Sequence, residues 1–383
     1  MAGGSAHAAR RKIKRAMGNT MSAPTTPVSA SPEIAEVERK DLAASKIQVI
    51  VRDPVEVPGP EDIVIDHAAG VAFVASQQRM SMSGKLLDAD DMPGGSIFAL
   101  DLNSEPLAKR LLADQASLGF PFHPRGCSLF TGKNAERRLM VISDRTANDH
   151  VVEIFDVVGE AFDAIGLRHV RTIVDTDHLI SPNDLVALDG DRFYVANDHG
   201  ARNMLLRSLE DLYGLPLSTV VFWDGSRFHM VAKGIVFANG MALDHARGRL
   251  YVASTRSKKI NVYDWDASDP AKELTESNRI ALPGCPDNLE WDEDGNLWIG
   301  ADPSFVQLAL YAAGLHPASP SQVLCISFDQ GHKPQVDEVW RDETGTTISA
   351  SSVAAVHGKG PVRRLLIGQP FGNFLRDCQL RSP

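Results

Sequence analysis

Adjacent oxygen donors recur along this 383-residue chain: Glu61-Asp62, Asn183-Asp184 and Asp287-Asn288 stand as acid or amide pairs, and Asn239 stands before a glycine. Each opens a short apolar run, in EDIVID, NDLVALD, DNLEWD and NGMALD. Carboxylates beside amides at the mouth of a buried strand are unfavourable unless a cation lies among them, because an unpaired charge there loses its hydration. A donor set made of oxygen, with no Cys or His converging on it, disfavours zinc and points to a hard cation. Calcium fits better than magnesium, since it accepts roughly six to eight oxygens in flexible geometry whereas magnesium demands a tight octahedron. Any one such pair reads as a turn cap. Recurrence at one position of a repeat is what turns the pairs into a metal set.

Two further runs, RGCSLF after Arg125-Gly126 begins it and SSVAAV from Ser351-Ser352, bring the number of polar openings to six. Each run leads through a turn such as DGDR, HARGR or EDGN to a second strand-like phrase. These phrases are GVAFVASQ (70–77), RLMVISDR (138–145), RFYVANDH (192–199), RLYVASTR (249–256), NLWIGADP (296–303) and RLLIGQPF (364–371). Copies spaced by roughly 50–65 residues have the size of four-stranded propeller blades. The expected fold class is therefore all-β, a six-bladed β-propeller over residues 47–383 with a central calcium-binding tunnel. Stacked β-sandwiches fit less well, because their repeats run nearer about 100 residues. The innermost strand of each blade runs along the tunnel, so the six openings converge at one end. Neighbouring residues on a strand point to opposite faces, which allows one ion at the open end and another deeper.

The remaining composition narrows the setting. A net charge of −10 argues against nucleic acid or an anionic membrane as partner, and 43% hydrophobic residues against 23% charged ones suit a substantial core. No apolar run is long enough for a membrane anchor. Cys127, Cys285, Cys325 and Cys378 are widely spaced, form no zinc pattern and suit a reducing compartment. Residues 1–46 read as a flexible basic arm, with five Lys/Arg from Arg10 to Arg15 and no acid before Glu33. An organelle transit peptide is the alternative for this arm, and Met17 or Met21 an alternative start. Without the apolar core of a secretory signal, a cytoplasmic location is expected.

The phrases PEDIVID, HPRGCSLF, SPNDLVALDGDRFYVANDH, FANGMALD, CPDNLEWDEDGNLWIGADP and TISASSVAAVHGKGPVRRLLIGQPF resemble, in order and spacing, the paraoxonase/arylesterase family over about residues 48–380. That resemblance implies a calcium-dependent esterase or lactonase with two ions in the tunnel. It implies a catalytic ion held by Glu61, Asn183, Asn239, Asp287 and Asn288. A deeper, structural ion would take Asp62, Asp184 and the backbone carbonyl of Cys127. Calcium would polarise the carbonyl of a small-molecule ester or lactone while its ligands orient the substrate.

The chain also departs from the family it resembles. Where animal members carry a His pair near the ion, the matching positions are Arg125 and Asp144. A guanidinium stays protonated and cannot serve as base. Arg125 and Asp144 are thus expected as an ion pair at the tunnel mouth, with Arg125 receiving negative charge and Glu61 or Asp144 accepting the proton of water. His123 lies on the same strand face but about 6.5 Å further along. The family's terminal disulfide cannot form in the same place, because Cys378 is present but no cysteine precedes Cys127. Closure must then rest on strand pairing or on packing of the two ends.

Smaller expectations complete the reading. Asp198, His199 and Asp302 are rim residues, the tryptophans pack blades, RSLEDLYGL (207–215) forms a short helix, and SMSGKLLDADDMPGGS (81–96) is an exposed loop. Two other functions remain open: a same-fold biosynthetic enzyme with non-hydrolytic chemistry, and a non-catalytic binding propeller. Sequence sets no oligomeric state.

Overall fold

The computed structural model describes residues 43–44, 47–80, 87, 92–111, 118–134, 136–146 and 149–382, all in the unit Ile34–Pro383. The expected arm over 1–46 lies outside the described residues apart from Ala43 and Ala44, and of the expected loop 81–96 only 87 and 92–96 are described. Within this unit the described strands make six sheets, each an antiparallel four-stranded array. Ala43–Ala44 adds a two-residue parallel edge to one of them, opposite Asp337 and Glu338.

The innermost strands are Pro60–Asp66, Pro124–Thr131, Pro182–Ala187, Ala238–Asp244, Cys285–Trp291 and Val353–His357, which define blades one to six. Each packs on the next and the sixth packs on the first, so they close a ring. The fold is the six-bladed β-propeller that the repeat predicted.

Hydrophobic burial explains why the second strand of a blade is continuously apolar. Val71–Ser76, VAFVAS, is buried along its whole length. Phe73 and Ala75 pack toward blade two, with Leu139 and Phe155, while Ala72 and Val74 pack toward blade six, with Leu366 and Leu375. A strand covered on both faces has no solvent side and need not alternate. Six apolar clusters result, one between each pair of neighbouring blades.

The turns between inner and second strands are organised by aspartates. Asp66 accepts the N–H of Ala69 at 3.1 Å, Asp244 that of Arg247 at 2.9 Å, and Asp292 those of Asp294 and Asn296 at 3.0 and 2.8 Å. Such side-chain acceptors satisfy turn amides that no strand can reach.

Closure uses strand pairing. Gln48–Glu56 runs antiparallel to Phe374–Arg381, with Val51 opposite Cys378, and so supplies the outer strand of blade six. All four cysteines are buried and free. Helix α1, Met204–Tyr213, begins earlier than the expected 207 because Asn203 caps it, accepting from Leu205 and Leu206, and Gly214 in the left-handed region stops it. Helix α2, Phe305–Ala312, was not anticipated, and Ser304 caps it. No helix among the described residues is long and apolar enough to cross a membrane.

Candidate active site and metal centre

Five of the six inner strands open with a register shift against their neighbour: at Pro60/Asp62, Pro124/Cys127, Pro182/Asp184, Ala238/Met241 and Pro286/Leu289. Each candidate pair therefore sits in a β-bulge, which breaks strict alternation and re-aims side chains. The bulges allow both members of a pair to stay near the axis, a feature that simple alternation did not foresee.

Small residues in the bulges let the strands crowd together. A Cβ on Gly126 would fall on Asp184, and one on Gly240 would fall on the backbone of Asp287 and Asn288. Cross-blade hydrogen bonds then fix the ring. Asp62 of blade one accepts the N–H of Cys127 in blade two at 2.7 Å, and Asp184 of blade three accepts that of Met241 in blade four at 2.7 Å. Ser352 of blade six donates to the carbonyl of Glu61 at 2.5 Å, and its own carbonyl accepts Asn288 N–H at 2.8 Å.

Two of the three amides are anchored through Nδ2. Asn183 donates through Nδ2 to Asp198 at 3.1 Å, and Asn288 donates through Nδ2 to the carbonyl of Glu61 at 3.2 Å. Asn239 hydrogen-bonds Asp287. The Oδ1 atoms of Asn239 and Asn288, and Oδ1 of Asp184, are buried without a hydrogen-bond partner. Buried acceptors are normally satisfied, so orphaned oxygens collected in one ring mark a place for a ligand. Amide and carboxylate oxygens are the donors calcium takes, and the residues present therefore fit that ion.

Electrostatics favour the same fit. Burial pushes the Asp62 carboxyl up to about 7, against hydrogen bonds from Cys127 and Ile63. Asp184 and Glu290 are pushed well up by burial and by the charge of Asp62, and Asp287 by burial and by Glu61. These acids repel one another in a poorly solvated space, which a divalent cation relieves. A cavity of about 200 Å3 runs beyond the ring, lined by Asp62, Asp184, Glu290, Cys127, Met241 and His245 among others. The Cys127 thiol is buried and pushed well up, so it is no thiolate donor.

At the mouth, Arg125 and Asp144 are ion-paired through Nε and Oδ2. His150 hydrogen-bonds the other oxygen of Asp144 through Nδ1 at 2.6 Å. Burial alone would raise Asp144, yet Arg125 and His150 hold it well below the usual carboxylate range. Arg125 in turn stays cationic, above its ordinary value, chiefly through Asp144. His123 is buried and lowered by that burial, its Nδ1 has no partner, and its carbonyl accepts Asp144 N–H at 3.1 Å. Behind Asn183, Asp198 receives Ser181 and His199, and His199 bridges Asp198 at 2.7 Å and Asp211 at 3.1 Å. Asp302 is pushed up to about 7 by burial and accepts Ser319 at 3.0 Å.

Three residues that matter here escaped the sequence reading. Arg79 is buried and ion-paired with Oε2 of Glu61. Its signal was a charged residue just past the phrase GVAFVASQ, indistinguishable from a loop cation. His150 stands opposite Asp144 on the next strand, a register that only pairing reveals. Glu290 was legible: aligned runs carry Val64, Ser128, Val186, Ala242 and Ala354 at its position, so it is the one charge there.

Comparison with known proteins adds an independent line. The profile of the arylesterase family matches residues 60–380. Serum paraoxonase/arylesterase 1 of Homo sapiens is 32% identical over 342 residues, spanning 85% of this chain and 90% of that protein. Serum paraoxonase/lactonase 3 of Homo sapiens is 32% identical over 334 residues, spanning 84% and 86%. Among solved structures, a luciferin-regenerating enzyme superposes with a TM-score of 0.51 at 12% identity, covering 88% of this chain and 95% of that one, a likeness of fold.

Proposed function

This chain belongs to the arylesterase family, and from that premise we propose that it is a calcium-dependent hydrolase of carboxylic esters or lactones. The supporting observation is the ring of orphaned oxygens on Asn239, Asn288 and Asp184 beside acids that burial has pushed up. Glu61, Asn183, Asn239, Asp287 and Asn288 would hold the catalytic ion, and Asp62, Asp184 and the Cys127 carbonyl the deeper one. Bound there, calcium supplies Lewis-acid polarisation of the scissile carbonyl and charge compensation for the ring.

The chain's own residues supply the rest. Asn183 and Asn288 are held through Nδ2 by Asp198 and by the Glu61 carbonyl, so their oxygens are preorganised before substrate arrives, and Asn239 hydrogen-bonds Asp287 within the ring. Glu61 is assigned the general-base role: Arg79 fixes its Oε2, which leaves Oε1 to take a proton from water. It takes the proton as the water oxygen adds to the acyl carbon, and returns it to the departing alkoxide when the acyl–oxygen bond breaks. Arg125, locked in charge and direction by Asp144 and His150, receives negative charge at the rim, either on the developing oxyanion or on an anionic arm of the substrate. Asp144 is the poorer base, because both of its oxygens are engaged, one by Arg125 and one by His150, and these partners hold it well below the usual carboxylate range.

A panel of lactones and aryl esters, assayed with calcium and after chelation for the wild type and Glu61→Gln, tests this reading. Hydrolysis that requires calcium and falls by about 100-fold or more in Glu61→Gln is expected. Turnover indifferent to both treatments would falsify the metal-hydrolase assignment.

A further inference from the structure

A second cluster of ligating side chains lies where inner strands end, opposite their polar openings. His67 follows the inner strand of blade one, Glu293 follows that of blade five, and His357 is the last residue of that of blade six. These three blades are consecutive around the ring. The Nδ1 atoms of His67 and His357 face each other at 3.4 Å, with the rings stacked at a centroid separation of 5.6 Å and 16° between planes. Oε2 of Glu293 lies 3.6 Å from Nδ1 of His67, and the three residues offer donor atoms that all fall within 4.8 Å of one another.

We propose that His67, His357 and Glu293 form a binding site for a divalent transition metal of the zinc class, chemically separate from the oxygen ring in the tunnel. Two imidazole nitrogens with a carboxylate oxygen are the borderline donors that zinc and its neighbours prefer, whereas calcium prefers oxygen alone. Spacing points the same way. Bonds of about 2.0–2.1 Å to a tetrahedral ion separate neighbouring donors by about 3.4 Å, against about 3.0 Å for adjacent positions of an octahedron. The Nδ1 pair already stands at the tetrahedral edge.

The surroundings hold the donors in a ligating state. Gly358 N–H donates to Oε2 of Glu293 at 3.2 Å, and the Lys359 ammonium lies 4.0 Å from Oε1, so the carboxylate is oriented from outside the cluster. His67 and Glu293 are each about a quarter exposed, at 26% and 25%, leaving access for the ion and a water as fourth ligand.

The placement gives the metal a structural task. Blade six is the closing blade, made by Gln48–Glu56 pairing with Phe374–Arg381. A metal held by blades one, five and six would clip both flanks of that closure in a protein whose four cysteines are free.

The test uses the full chain saturated with calcium, to which cobalt(II) is added as a spectroscopic probe and zinc as competitor. One cobalt per chain with the intense visible bands of a tetrahedral centre, displaced by zinc, and a zinc-dependent rise in Tm are expected. His67→Ala and His357→Ala each weaken cobalt binding at least about tenfold and abolish the rise in Tm, while Glu293→Gln weakens binding with both imidazoles intact. Circular dichroism and the calcium-saturated Tm identify any variant that has failed to fold, for which His67→Gln is the substitute. Absence of the tetrahedral bands in the wild type, or bands unchanged in folded histidine variants, overturns the proposal.

Discussion

Arg125 and Asp144 are ion-paired across the first two strands of blade two, and His150 on the third strand takes the remaining oxygen of the same carboxylate at 2.6 Å. The mouth thus carries a fixed cation, backed outward by an acid and an imidazole. Arg125→Gln should lower kcat/KM by about 10- to 100-fold, equal to about 1.4–2.8 kcal/mol of transition-state stabilisation. Steady-state kinetics on paired substrates with and without a carboxylate arm check this, and a larger loss on the anionic member assigns Arg125 to substrate charge.

Asp144→Asn should behave differently from Arg125→Gln. It leaves one acceptor oxygen for two partners, Arg125 and His150, and removes the countercharge of the guanidinium, so stability falls by about 1–3 kcal/mol while the rim cation survives. Urea unfolding measures the stability change. Arg125 is only partly buried, at 30% exposure of its side chain, which keeps the expected loss at the lower end.

Calcium removal should destabilise the fold in a pH-dependent way. Without the ion, Asp62 is pushed up to about 7 and Asp184, Asp287 and Glu290 are pushed up as well. An acid whose folded value exceeds its unfolded one binds more protons when folded, so stability falls as pH rises toward and past that value. Chelated protein should therefore gain Tm between pH 8 and about pH 6. Calcium-loaded protein should not, because the ion must displace those protons, and its affinity should weaken over the same fall in pH. Calorimetry of both forms separates the two trends.

His199 provides a second pH signature of the same sign, displaced to higher pH. Burial would lower it, but Asp198 and Asp211 raise it from 6.5 to about 9. Its contribution is complete below about 6.5 and is lost as pH climbs through 9. His199→Gln should cost on the order of 1–2 kcal/mol at pH 6 and almost nothing near pH 10, a difference visible in the gap between the two Tm curves.

Ring closure should depend on the first strand. Truncation before residue 57 removes Gln48–Glu56 and strips the ladder partner from Phe374–Arg381 in blade six. The shortened protein should lose cooperative unfolding and expose apolar surface to a dye such as ANS. Phe73→Ala, which opens a void between blades one and two, should by contrast fold and lose about 3–5 kcal/mol.

The blades, their order and the residues proposed as oxygen donors were legible in the amino-acid sequence. Apolar strands of short period, aspartate turns and repeated polar openings are local features, and six copies spaced alike leave few other folds. Glu61, Asn183, Asn239 and Asp287 could be found because each stands at one repeat position. Tertiary structure decided what the sequence could not order. β-Bulges set which way each pair faces, since one extra residue in a ladder overrides the alternation that the chain alone implies. Strand register joined His150 to Asp144, and the pairing of the first two strands of blade one brought Arg79, just past the end of the second, to Glu61. His67 and His357, nearly the whole domain apart in sequence, meet because closing a ring brings its first and last blades side by side. Local periodicity specifies the elements; where distant side chains converge is set by the packing of whole blades.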